Sequence, residues 1–203
     1  MLSKTKLPLL LASILLLNLI IYIRAVLTIE DPNMVFAECA RNSGRTSAAI
    51  NLALLFMLGH LGLKAIFNEE IKKNLFRVLV TLFAVNHLIH FFFVSQNFKS
   101  QLLDLDIATN LHGVITYFFI LALPVVIWTY KKLNPVLYFG ILLHLFNVTY
   151  IIGDTFYGRY KPSIDAAYLH RMGVVLMIGA LLYVLYRVFR EWSVSFVKDD
   201  KMQ

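Results

Sequence analysis

Six runs of roughly 20 apolar residues divide this chain, each long enough to cross ~30 Å of hydrocarbon as an α-helix. They fall at Leu7–Leu27, Thr46–Phe67, Leu75–Ser95, Leu111–Tyr130, Pro135–Gly153 and Arg171–Val188. Backbone amides surrounded by lipid must be satisfied within their own segment, so such runs form helices and gather into a bundle. Of the 203 residues, 59% are hydrophobic and 15% charged, with a mean hydropathy of +0.71. An ordinary soluble domain is ~25% charged and ~45–50% apolar. A soluble enzyme, a disordered regulator and a coiled coil are therefore excluded. The single cysteine, Cys39, excludes an intramolecular disulfide. The expected fold is an all-α integral membrane bundle of six transmembrane helices, one domain over residues 1–203.

The first run follows Lys4 and Lys6 as a signal peptide would, but it is longer than a usual h-region and no small-x-small site closes it. It reads as a retained anchor. Of the 19 Lys and Arg residues, twelve fall on one side of the predicted membrane, Lys64, Lys72, Lys73, Arg77, Lys131 and Lys132 among them. The positive-inside rule then places both termini in the cytoplasm, in a plasma membrane or bacterial inner membrane. This accounts for the net charge of +7 without a nucleic-acid partner. Glu30, Asp31, Glu38 and Cys39 are expected in an outer loop, as are Asp154 and Asp165.

No Gly-rich phosphate loop, nucleotide fingerprint or Cys cluster occurs. Chemistry must then lie within the membrane or use a partner. The histidines become the informative residues, because ionisable groups in membrane helices are costly and tend to face the bundle interior. His87 lies twelve residues along the third run, ~18 Å from its inner end, and His144 nine residues along the fifth, ~14 Å. The two match in depth. His87 and His90 share a helix face at i, i+3, with Phe83 and Val94 extending the stripe. His60 lies in the inner third, whereas His112 and His170 fall at outer helix ends.

Two neutral imidazoles at one depth suit haem b, which takes an axial histidine from each side and buries its apolar macrocycle between helices. Its propionates need cations, and Arg41 and Arg45 flank the outer end of the second run. A hydrogen-bonded structural role is the alternative for every one of these histidines. His90 reads as an interior hydrogen bond or a support to a ligand. His60 is open between a second, inner haem and a backbone hydrogen bond. The segment Asn42–Ser47 reads as the start of the second helix, with Ser43 or Thr46 as an N-cap or Arg45 as a propionate partner.

Three motifs, SGRTS (Ser43–Ser47), TLFAVNHLIH (Thr81–His90) and LLH (Leu142–His144), together resemble the ferric reductase-like transmembrane domain family over roughly residues 41–153. The likeness is nearest to the small bacterial haem-binding membrane subunits of periplasmic methionine sulfoxide reductase systems. It implies a six-helix haem b protein that moves electrons across or within the membrane. It implies that His87 matches the third-helix haem ligand and His144 the first histidine of the fifth-helix pair. Where the family carries the second, this chain has Tyr157, beyond the predicted helix end. That departure argues against a full set of haem ligands and leaves either one haem through His87 and His144 or a degenerate member that binds none.

Two functions follow as expectations. In the first, the chain is an electron-transfer subunit of an oxidoreductase. A flavoprotein or membrane quinol donates, haem b carries, and an outer-side redox partner accepts. In the second, it is a haem-free membrane assembly or interaction protein, or a small transporter, on the same scaffold. No midplane acidic residue or internal repeat supports a transporter, and no H-E-x-x-H motif supports a hydrolase.

Overall fold

The computed structural model describes residues 6–103, 111–158 and 168–199, with side chains described as far as 192. Among these residues every element is a helix. In chain order they are α1 (Lys6–Thr28), α2 (Pro32–Leu61), α3 (Leu63–Asn68), α4 (Glu70–Ser100), α5 (Leu111–Thr129), α6 (Pro135–Gly158) and α7 (Leu169–Asp199). Five are long and apolar enough to cross a membrane: α1, α4, α5, α6 and α7 as far as Trp192. α2 is not among them, because its first half carries Asn33, Glu38, Arg41, Asn42 and Arg45.

The second helix departs from the expected one. It starts at Pro32, not at Thr46, so Glu38 and Cys39 are helical and the predicted outer loop is short. The cause is local. Asp31 Oδ1 accepts the Asn33 N–H at 3.0 Å, an N-cap, and Pro32 at the first helical position has no N–H to leave unsatisfied. The same device starts α6, where Asn134 Oδ1 accepts the Leu137 N–H at 2.7 Å ahead of Pro135. SGRTS is thus mid-helix, and Ser43 and Thr46 cap nothing. Cys39 is wholly buried, packed with Ala25, Val35, Ala40 and Phe93. At the other end Gly62, at φ 78° and ψ 151°, breaks the predicted second span. That conformation is almost confined to glycine. The short α3 follows, burying Leu63, Ile66 and Phe67. α6 runs past its predicted end, so Asp154 and Tyr157 are helical and exposed; Asp165 lies outside the described residues.

The chain forms two compact units, residues 1–50 with 77–130, and 51–76 with 131–203. In the first, α4 is tied to the end of α5 by the buried Arg77. Its Nε donates to the Ile127 carbonyl at 3.1 Å, and its guanidinium lies 5.2 Å from the Trp128 ring centre. In the second, α6 and α7 pack directly on one another. Leu145, Val148, Ala180 and Val184 are all buried there.

Candidate functional site

A buried polar chain runs through the first unit. α2 contributes Ser43 and Ser47, one turn apart, and α4 contributes Asn86, His87 and His90. Asn86 is wholly buried, and its Nδ2 donates to the Ser43 carbonyl at 3.0 Å and to Ser47 Oγ at 2.8 Å. Its Oδ1 accepts from Asn18 Nδ2 of α1 at 2.8 Å. His87 Nδ1 lies 3.1 Å from Ser47 Oγ, and His90 Nδ1 lies 3.1 Å from Ser43 Oγ. Two serines at i, i+4 thus face two histidines at i, i+3, with one asparagine between them. The SGRTS motif permits this closeness, since a Cβ on Gly44 would sit 3.1 Å from His90 Cε1.

Aromatic rings fix the plane of His87. Phe83, Tyr117 and His90 have ring centres 5.2, 4.7 and 5.3 Å from it. When the Nδ1–H is donated to Ser47 Oγ, the lone pair of the neutral imidazole stands on Nε2, the nitrogen a metal would take. Ser47 Oγ has lone pairs for both His87 and Asn86. Among the described residues no group of three or more His, Cys, Asp or Glu side chains forms a metal cluster. A metal held in a macrocycle needs fewer protein ligands than a bare ion, so the absence of such a cluster does not bear on it.

The arginines lie within α2. Arg41 is paired with Glu38. Arg45 Nη1 donates to Asn42 Oδ1 at 3.2 Å, while its buried Nε has no hydrogen-bond partner among the described residues. Arg45 also lines a cavity of about 300 Å³ with Arg24, Thr28, Glu38, Asn42 and Thr46. An orphaned guanidinium nitrogen suits a carboxylate such as a propionate.

The remaining candidates are dispersed. His144 is buried on α6 and belongs, with His60, to the second unit. His60 is exposed in the last turn of α2, and His112 is exposed at the start of α5. His170, expected at a helix end, lies in the first turn of α7 and is buried at 2% exposure, its ring centre 5.1 Å from that of Phe156. The sequence reading overlooked Asn18 and Asn86. A signal for both exists, because an uncharged amide in an apolar run also needs a partner in lipid.

No protein-family model matches the chain, and neither a curated protein nor a solved structure matches it. The fold defines the class: an all-helical integral membrane protein with several candidate spans.

Proposed function

We propose that this chain is a membrane b-type haem protein carrying electrons between a separate donor, a flavoprotein or quinol, and an outer-side acceptor. The observation that carries the reading is His87, buried on a candidate span with its Nδ1 held by Ser47. His87 and His144 would be the residues that hold the haem. Arg45, with Arg41 beside it, would meet the propionates. Ser47 and Asn86 orient His87, and the surrounding rings exclude water. Haem, when bound, supplies the one-electron couple. The same reading takes α2 from Thr46 onward as a sixth span ending at Gly62, with both termini cytoplasmic in a plasma or bacterial inner membrane, as the lysine and arginine distribution favours.

The test is haem content in purified variants. His87→Ala and His144→Ala should each lose most of the bound haem, whereas His112→Ala should keep it. Full retention in both of the first two variants would end the proposal. One observation favours the second reading, a haem-free assembly or interaction protein: Ser47 and Ser43 already give His87 and His90 hydrogen-bond partners. Under that reading the variants change stability and nothing spectroscopic.

A further inference from the structure

A second cavity, of about 620 Å³, lies in the unit built from α3, α6 and α7. Its size falls in the ~300–1,000 Å³ range of small-molecule sites. Lys131 and Lys132, from the turn before α6, line it with Lys64 of α3. Tyr138, Phe139 and Trp192 form an apolar wall. Among the described residues no acidic one lines it. Glu191, next in sequence to Trp192, accepts the Tyr138 hydroxyl at 3.1 Å and lies 3.6 Å from Arg187 Nε, so its charge is already met.

The position gives the chemistry. α6, a candidate span, starts at Pro135, which lines the cavity beside Lys131 and Lys132. The cavity therefore lies at one end of a candidate span, the part of a membrane helix that meets lipid headgroups. Phe139 and Trp192 are half exposed and meet edge to face, with ring centres 5.7 Å apart, at the level where aromatic side chains anchor membrane proteins. Three ammonium groups above an aromatic wall match an amphiphile with a phosphate head and an apolar body.

We propose that this cavity binds a phosphate-headed amphiphile, with the phosphate among Lys64, Lys131 and Lys132 and the apolar part on Tyr138, Phe139 and Trp192. The location favours an anionic phospholipid over a soluble phosphate compound. The inference does not rest on haem binding.

The test uses the full chain in non-ionic detergent on a Trp128→Phe background, so that Trp192 reports alone. Dioctanoyl phosphatidylglycerol should change Trp192 emission saturably, and dioctanoyl phosphatidylcholine should not. Lys64→Gln/Lys131→Gln/Lys132→Gln should weaken the response about 100-fold at unchanged helical circular dichroism. Should that variant not fold, Lys131→Gln/Lys132→Gln in the exposed turn should weaken it about 25-fold. A response that inorganic pyrophosphate leaves intact assigns the site to lipid, and one that pyrophosphate competes away assigns it to a soluble phosphate ligand. Equal responses to the two lipids, or a lysine variant that binds phosphatidylglycerol as the parent does, would overturn the proposal.

Discussion

Replacing Asn86 with alanine should destabilise the protein by about 2 kcal/mol. The side chain is wholly buried and makes three hydrogen bonds, at 2.8 Å with Asn18, 3.0 Å with the Ser43 carbonyl and 2.8 Å with Ser47. Hydrogen bonds between membrane helices average ~0.6 kcal/mol each and reach ~1.7, so three give about 2 kcal/mol. Asn18 Nδ2 keeps its other bond, to the Ile14 carbonyl at 2.9 Å, which holds the loss near that figure. This corresponds to about a 30-fold shift in the unfolding equilibrium. Reversible unfolding by SDS in mixed micelles, followed by circular dichroism, measures it. His112→Ala, at an exposed helix end, should change stability by less than about 0.5 kcal/mol. A double-mutant cycle with Asn18→Ala should return a coupling near 1 kcal/mol. An Asn86→Ala loss below about 0.5 kcal/mol, with no coupling to Asn18, would refute the network as a source of helix–helix stability.

Other expectations follow from single contacts. Gly62→Ala forces a side chain into a conformation nearly confined to glycine and sets its Cβ against the Glu191 carboxylate. It should cost about 2–3 kcal/mol in the same unfolding assay. Gly179→Ala, with no described residue within 4 Å of the added Cβ, should instead gain up to about 1 kcal/mol from helix propensity. Cys39, at 0% exposure, should resist a maleimide in the native protein and react once SDS unfolds it; native labelling at the rate of a free thiol would contradict its packing. Under the proposed function, Ser47→Ala should weaken haem retention 10- to 100-fold, measured by transfer of haem to apomyoglobin, while His87 remains in place. Unchanged retention would mean that Ser47 does not position the ligand.

Much of the helical layout is readable from apolar run length, because lipid leaves a backbone few alternatives. α1, α5 and the start of α6 lie within a residue or two of where the runs place them. The second helix was misread because hydropathy tracks lipid contact, whereas a helix starts where its cap is. Asp31-Pro32 carried that signal as plainly as Asn134-Pro135 did. α6 outlasts its apolar run because Asp154 and Tyr157 sit on an exposed face, where polarity costs a helix little. At the site, i, i+3 spacing was enough to pair His87 with His90. Their serine partners were not readable, because one sequence does not say which helices pack. His170 lies at a helix end as its run placed it, but a place near a helix end says nothing of a neighbour such as Phe156.

The central claim, haem b on a histidine of a membrane span, is tested most directly by a dithionite-reduced minus oxidised absorbance spectrum of the purified protein, with a pyridine haemochrome titration. The account predicts a b-type spectrum at about one haem per chain, since His87 and His144 are the two buried candidate ligands. A folded, monodisperse protein that is colourless and takes up no added haemin would contradict it.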